Sequence, residues 1–431
     1  RFLVSLQRFL KLNGMKRFTA FVALVLLAAA TAVSCSKDKD AGKLAFDRPA
    51  VFLQPGGTAT VGFSSTDIKS YSISSKPVGW DDAIVLDEGA MSVRITAPTV
   101  FEDDARADEG TEEEEKAERS GTLTLAGTSF GGKRVTATLF VSVSKTVDMS
   151  DRPANSYLVN GRECNYTFDA MHKGDGQSAL ATASVDIVWQ SKTNLIQYLS
   201  LDDGKVSFYV GADEDEDDRI DEGNALIGAY DADGTLIWSW HIWAADYDPE
   251  AAGGSVDFNG YTMMTRSLGA LADDNSTTAK ILASYGLYYQ WGRKDPFLFP
   301  ASADLPTTEG TAVVQCLPGY AFEVRSNTAS ATKYPAGCYT IAWATAHPTV
   351  FLAAAPNPAG SNPTYFGSWC YPLDDNLWGA GNDGKTIYDP CPPGWKVPPR
   401  EAWDMEHFSK SSNSPDCGWN MHYSEYYGIT F

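Results

Sequence analysis

The sequence has 431 residues, enough for two or three domains of ordinary size. Its formal net charge is −21, and two acidic stretches, residues 101–120 and 211–224, supply −14 of that charge. No basic patch suited to neutralising phosphates is present, which disfavours nucleic-acid binding. Aromatic residues make up 12% of the chain, beside 37 glycines and 22 prolines, so a turn-rich, mainly β protein is favoured. A coiled coil, a polytopic membrane protein and a fully disordered chain are excluded.

The first residues have the pattern of an export signal. Met15 is a better start than the initial arginine, so residues 1–14 are expected to be untranslated or part of a fragment. Lys16 and Arg17 then precede an apolar run over residues 18–33. A basic segment followed by such a run marks secretion through the inner membrane.

The apolar run ends in small residues before Cys35 and resembles the lipobox of bacterial lipoproteins, in which the cysteine is acylated. The run has 16 residues, fewer than the ~20 of a usual transmembrane helix. The sequence therefore predicts a lipoprotein signal peptide over residues 15–35 and a polar tether over 36–43. An ordinary signal peptide or a single membrane anchor is the alternative. The lipid anchor would place the protein at the outer membrane or cell surface, with the leaflet left open.

Six further cysteines follow Cys35, and none has the C-x-x-C spacing of a redox or zinc site. Disulfides can form outside the inner membrane, and five of the six lie between residues 316 and 417. We expect them to staple one loop-rich module, with connectivity left open. The candidate disulfide cysteines are Cys316, Cys338, Cys370 and Cys391.

Residues 44–146 predict an immunoglobulin-like β-sandwich of about seven short strands, of which Val135–Val143 alternates strictly. Gly127–Gly131 matches the G-x-S-x-G pattern of hydrolase nucleophiles. A nucleophile of that kind sits between a strand and a helix, whereas this one lies between two strands, so a hairpin loop is predicted. The acidic stretch 101–120 cannot bury apolar surface and should form a solvated, mobile loop.

Residues 147–252 predict a second β domain, in which Asp231–Gly234 is a hairpin turn. The acidic stretch 211–224 lacks the glycine and glutamate that an EF-hand loop requires at its sixth and twelfth positions. The five histidines include no zinc-binding pair. We therefore expect no metal site and no cofactor.

The last strand of this domain has bulky residues on both faces. Trp238 and Trp240 share one face, and His241 and Trp243 share the other. This pattern predicts a strand buried on both sides, where the second domain packs on the third. The alternative is a sugar-stacking platform, whose candidate glycan contacts are Trp238, Trp240, Trp243, Tyr288 and Trp291.

From residue 253 onward the alternation gives way to aromatic, glycine, proline and asparagine residues. This composition predicts a loop-rich α+β module over residues 253–431, called the C-terminal module below. Arg266 and Arg293 are expected to pair with carboxylates inside it.

Six short sequence segments, called the distinctive phrases below, occur in a fixed order along the chain. They are Ala154–Val159, Gly223–Ile227, Ile237–Trp243, Met264–Ala270, Tyr285–Phe297 and Tyr388–Pro398.

Over roughly residues 150–431, these phrases resemble the Fibrobacter-succinogenes major-paralogous (FISUMP) type of module in Bacteroidetes surface lipoproteins. The first sandwich resembles the Ig-like part of such lipoproteins, which often carry fimbrillin-like annotations. The resemblance implies an exported, multi-domain, cell-surface protein without assigned catalysis. The stretch around Cys391 also resembles C-type-lectin-like and formylglycine-generating-enzyme-like modules. A further Gly- and Trp-rich run normally follows in the family, so the C-terminal module is expected to be incomplete.

Three functions compete on these grounds. The first is a non-catalytic, lipid-anchored surface protein for adhesion or fimbria-like assembly, whose partners are the membrane and fimbrial or other surface proteins. The alternative is a glycan-capture protein of a polysaccharide-uptake system. The third is an enzyme, which is disfavoured because the paired reactive cysteines of the formylglycine-generating chemistry have no matching phrase.

The lipid anchor can be tested directly. Cys35→Ala removes the predicted acylation site, so the protein should no longer partition with membranes when fractions are compared by immunoblot. Unchanged membrane association would contradict lipidation and favour an uncleaved membrane anchor.

Overall fold

The computed structural model describes residues 42–80, 83–101, 117–215, 218–258, 260–274, 276–298, 311–317, 320–326, 339–353, 374, 376–379, 384–399, 402, 423–424 and 429–430. The predicted signal peptide with Cys35, most of the tether, most of the first acidic loop, Cys338 and Cys370 lie outside these residues. Within the described ranges, no helix is long and apolar enough to cross a membrane.

The first sandwich consists of two four-stranded sheets around one apolar core. Its strands are β1 (Lys43–Phe46), β2 (Ala50–Leu53), β3 (Thr58–Thr66), β4 (Ile68–Ser75), β5 (Ile84–Asp87), β6 (Ser92–Thr96), β7 (Ser120–Ser129) and β8 (Arg134–Val143). The sheet orders are β1-β3-β6-β5 and β2-β8-β7-β4. Successive side chains of a strand point to opposite faces, so the alternation along β8 places Leu139 and Val141 in the core. The turn at Phe130–Lys133 joins β7 to β8, which confirms the hairpin predicted at the G-x-S-x-G pattern.

The second sandwich repeats this architecture. Its strands are β9 (Thr146–Asp148), β10 (Ser156–Val159), β11 (Cys164–Asp169), β12 (Ser184–Gln190), β13 (Gln197–Asp202), β14 (Lys205–Val210), β15 (Gly223–Tyr230) and β16 (Leu236–Ala244). The sheet orders are β10-β16-β15-β12 and β13-β14-β11-β9. The hairpin predicted at Asp231–Gly234 is confirmed, because Gly234 has a φ of 77° and the Asp231 carboxylate accepts the amide of Thr235. The predicted class of two β-sandwiches is thereby confirmed.

The C-terminal module contains short elements joined by loops. Within its described residues these are β17 (Ser255–Phe258), β18 (Tyr261–Met264), α1 (Thr278–Ser284), β19 (Thr311–Leu317), β20 (Tyr320–Ser326), α2 (Ile341–Ala346), β21 (Val350–Ala353), β22 (Tyr423–Ser424) and β23 (Ile429–Thr430). Strands β17 and β18 pair as a hairpin, and β19, β20 and β21 form a small sheet. The C-type-lectin-like resemblance and the domain boundaries at 147 and 253 stay predictions.

Four aromatic side chains, called the aromatic junction here, join the two sandwiches. Phe52 and Phe140 come from the first sandwich, and Tyr198 and Tyr209 from the second. The Phe140 and Tyr198 rings stack with centroids 4.2 Å apart, and Phe52 and Tyr209 stack at 5.6 Å. An exposed ion pair, Arg48 Nη1 to Asp202 Oδ2 at 2.8 Å, lies between the same two sandwiches. Because Phe140 is outside the first core, this junction is separable from the stability of that sandwich.

Phe140→Ala should weaken the contact between the two sandwiches, and so increase their relative motion, without unfolding either one. The change removes ring contacts with Phe52, Tyr198 and Tyr209, each worth ~0.5–1.5 kcal/mol beyond buried area. Small-angle scattering should show a broader distribution of overall dimensions, while circular dichroism stays unchanged. Phe130→Ala is the matched control, since Phe130 is 74% exposed on the same hairpin. Identical scattering curves for the two variants would contradict a role for the junction.

Candidate functional site

The C-terminal module packs on the outward face of β16, and this contact is called the seam. Trp238 and Trp240, at 1% exposure each, point into the second sandwich's core, whereas Trp243, at 0%, packs outward with Tyr247. The prediction of a strand buried on both sides is confirmed. The alternative of a glycan platform is wrong for Trp238, Trp240 and Trp243, because no sugar can reach side chains that are covered on both faces.

A buried ion pair lies at the centre of the seam. The Lys294 ammonium donates to Asp295 Oδ1 at 2.5 Å and to the Ser239 carbonyl at 2.9 Å, and the Ser239 hydroxyl donates to Asp295 at 2.6 Å. Lys294 also lies 4.5 Å above the Trp238 ring. Burial lowers the pKa of Lys294, and the Asp295 carboxylate opposes that shift. Buried charges need such partners, so the pair fixes the C-terminal module against β16.

His241 is a second buried group of the seam. The Asn224 amide nitrogen donates to the Gly269 carbonyl, so the Asn224 oxygen accepts from His241 Nε2 at 2.9 Å. His241 Nδ1 is then the acceptor for the Ser156 hydroxyl at 3.0 Å. This network uses the neutral imidazole, and burial lowers the pKa of His241 from 6.5 to about 3.

The segment Tyr388–Pro398 is organised by a buried carboxylate. The Asp389 carboxylate accepts hydrogen bonds of 2.8–2.9 Å from the ammonium of Lys385 and from the backbone amides of Cys391 and Val397. The Asn155 amide donates to the carbonyls of residues 387 and 389, which ties this segment to β10. The same segment therefore closes the seam from the side of the C-terminal module.

One sequence prediction needs correction in this region. Cys391 is a buried free thiol, so it forms no disulfide; it packs beside Asp389, and burial raises its pKa. The Cys316 side chain, like Cys338 and Cys370, lies outside what the structure describes. The Arg293 guanidinium donates to the carbonyls of Val350, Ala344 and His347, and its pairing with a carboxylate stays a prediction. The predicted pairing holds for Arg266, whose Nε is 3.6 Å from Asp273 Oδ2.

A pocket of about 300 Å³ opens beside Arg266, and we call it the Arg266 pocket. Three of the six distinctive phrases supply its walls. The lining residues are Thr262, Met263, Met264, Arg266, Ser267, Leu268, Leu287, Tyr289, Trp378, Pro390, Cys391, Trp395, Lys396, Val397 and Pro398. Gly269 and Gly286 have positive φ, and a Cβ on either would lie 2.5–2.6 Å from an atom of the facing segment. These glycines allow the two segments to approach closely.

Two aromatic side chains of the C-terminal module remain accessible. Tyr288 is 49% exposed and Trp291 is 55% exposed. The Trp291 and Trp378 ring centroids are 4.9 Å apart, and Trp378 is buried and lines the Arg266 pocket. Two of the five predicted glycan contacts are therefore placed where a ligand could reach them.

Sequence reasoning missed the polar residues of the seam, including Asn155, Asn224 and Ser239. Each lies inside one of the distinctive phrases, so membership in those phrases was the sequence signal that could have identified these residues. What the sequence withholds is the pairing of residues up to 234 positions apart, as in the contact between Asn155 and Asp389.

No protein-family model and no curated protein matches the sequence. Among solved structures, SporoSAG from Toxoplasma gondii is 7% identical, with 45% of this chain and 94% of that chain covered and a TM-score of 0.15. The SGBP-B protein of a Bacteroides ovatus mixed-linkage glucan utilization locus is 12% identical, with 45% and 42% covered and a TM-score of 0.12. The human Desmocollin-1 ectodomain is 11% identical, with 47% and 40% covered and a TM-score of 0.15. Similarity at these scores carries no argument about function.

Acid should weaken the fold through His241. Its pKa is lower in the folded than in the unfolded chain, so its contribution is complete above pH 6.5 and is lost as pH falls towards about 3. The loss is at most ~1.4 kcal/mol per pH unit. His241→Gln should therefore destabilise the protein most at pH 7, with the difference from wild type shrinking by pH 4.5 in urea unfolding. His172→Gln, at a partly exposed histidine, is the control. A difference that stays constant with pH would contradict this role of His241.

Proposed function

We propose that this chain is an exported, lipid-anchored outer-membrane protein that acts at the cell surface in adhesion or fimbria-like assembly, without catalysis. The arrangement of the modules carries the proposal. The first sandwich contacts β13 and β14 through the aromatic junction, and the C-terminal module contacts β15 and β16 through the seam. The two contacts use different sheets of the second sandwich, so the three parts lie in series. A serial arrangement suits a protein that holds its last module away from an anchor near residue 35.

Membership in the FISUMP type is part of this proposal. The support is that residues from all six distinctive phrases meet at the seam. Hydrogen bonds join Asn224 to Gly269, Ser239 to Asp295 and Asn155 to Asp389. The phrases thus describe one folded unit rather than independent local motifs.

Glycan capture is the second candidate, and the exposure of Tyr288 and Trp291 favours it. Aromatic faces suit the C–H faces of pyranose rings, and both residues lie in the phrase Tyr285–Phe297, on the surface of the C-terminal module. Adhesion through a glycan would unite the two candidates, because the same exposed rings would then carry the attachment.

Trp291→Ala should weaken glycan binding by about tenfold, as expected for an aromatic residue at the centre of a contact. The rings of Trp291 and Trp378 are in contact, but Trp291 is more than half exposed, so the fold should tolerate its loss. Binding is measured first on a glycan array and then by titration with the best ligand. Beads coated with the protein provide the adhesion measurement.

Phe130→Ala is the control, since it removes an exposed aromatic side chain from the first sandwich. Bead attachment that depends on neither Trp291 nor any glycan would refute glycan capture and leave adhesion through protein contacts. Beads that attach to no bacterial or host surface would refute adhesion itself.

A further inference from the structure

The walls of the Arg266 pocket are largely apolar. Methionine, leucine, tryptophan, valine and proline side chains supply most of its lining. Its volume of about 300 Å³ lies at the small end of the ~300–1,000 Å³ typical of small-molecule sites. The size and the walls fit an apolar body of a few carbon atoms or a single ring.

The charged residues in the described part of the pocket lining are all cationic. Arg266 and Lys396 contribute positive charge, and none of the fifteen described lining residues is aspartate or glutamate. The whole chain carries a formal net charge of −21, so this lining departs from the rest of the protein. A cationic lining favours an anion.

Arg266 itself has unused hydrogen-bonding capacity. Its Nε and Nη1 atoms are buried and have no hydrogen-bond partner. Asp273 Oδ2 lies 3.6 Å from Nε, beyond hydrogen-bond distance, and the Tyr247 ring stacks at 4.8 Å without supplying an acceptor to these atoms. These two atoms are closed to solvent, so a ligand in the pocket would meet the part of the Arg266 side chain that stays accessible, 11% of it, and would be attracted by its positive charge.

We propose that the Arg266 pocket binds a small amphipathic carboxylate, with its apolar body among the tryptophans and its carboxylate beside Arg266. Guanidinium groups pair with carboxylates through charge-assisted hydrogen bonds. The ligand's carboxylate is either that of a free acid or the C-terminal carboxylate of a peptide, which share this chemistry. The site is independent of the adhesion or glycan-binding role proposed above.

The walls of the pocket are fixed before any ligand enters. The carboxylate of Asp389 holds the segment that supplies Cys391, Trp395 and Val397. The Leu268 carbonyl accepts the Leu287 amide at 2.9 Å and joins the two segments of the opposite wall. A preformed pocket loses little conformational entropy when it binds.

The test uses the exported chain from residue 36 and measures titration by calorimetry and by tryptophan fluorescence, since Trp378 and Trp395 line the pocket. Octanoate should bind at least tenfold more tightly than octanamide, which has the same body without the charge. Acetate, which has the charge without the body, should not bind. N-acetyl-Ala-Ala-Phe and its amide form the peptide arm. Tighter binding of the peptide acid than of octanoate would identify the C-terminal carboxylate as the source.

Variants then locate the site. Arg266→Gln should abolish the preference for octanoate over octanamide, whereas Arg94→Gln, at an exposed arginine of the first sandwich, should keep it. Thr262→Trp places a large side chain at an exposed residue of the lining and should block both ligands without disturbing the core. Asp273→Asn removes the nearby competing carboxylate and should tighten octanoate binding. If Arg266→Gln does not fold, the effects of Thr262→Trp and Asp273→Asn on octanoate binding still test the location of the site.

Equal binding of octanoate and octanamide by the wild-type protein would overturn the proposal, as would octanoate binding that Thr262→Trp leaves unchanged. Neither result would bear on Trp291, so a failure here is distinct from a failure of the glycan measurement. Loss of glycan binding in Trp291→Ala with octanoate binding retained would show two separate sites.

Discussion

The need to pair buried polar groups is the constraint on which the rest of this structure depends. The outward face of β15 and β16 presents Asn224, Ser239 and His241, which water cannot reach. A buried polar group without a partner costs several kcal/mol in an apolar environment, so each of the three needs one. Gly269 and Asp295 of the C-terminal module supply the partners of Asn224 and Ser239, and His241 pairs with Asn224 and Ser156 beneath them. The C-terminal module, whose described strands and helices are short, is thus held in one position by hydrogen bonds as well as by apolar contacts.

The same constraint shapes the accessible surface of the module. The phrase Tyr285–Phe297 is held at both ends, by the hydrogen bond from the Leu287 amide to Leu268 within the C-terminal module and by Lys294 and Asp295 at the seam. Between those points the chain exposes Tyr288 and Trp291. The exposed aromatic residues and the Arg266 pocket therefore share this segment, and Trp378 contacts Trp291 and also lines the pocket.

The sequence predicts features that depend on local periodicity and fails where distant partners decide. The alternation of β8 and the hairpin at Asp231–Gly234 follow from the two-residue period of a strand and from glycine's tolerance of positive φ. Strand β13 was not predicted, because its first five residues are half-buried without alternation and Tyr198 has a φ of 53°, which interrupts the pattern. The partners of Cys391 and Arg293 lie in or beside loops whose approach no local pattern encodes. The tryptophans of β16 are buried and Trp291 is exposed, and this difference depends on which other segments cover each side chain rather than on residue type.

Charge distribution gives the Arg266 pocket a definite chemical preference. A chain with a net charge of −21 repels anions at long range, but salt screens that repulsion beyond ~8–10 Å. Within that distance Arg266 and Lys396 are the charged groups among the described lining residues, and Asp273, 3.6 Å from Arg266 Nε, competes with a ligand for Arg266. A simple anion would gain little from two partly screened charges. An anion with an apolar body also gains ~25 cal/mol for each Å² that it buries against the walls, and this second contribution selects amphipathic carboxylates over inorganic anions.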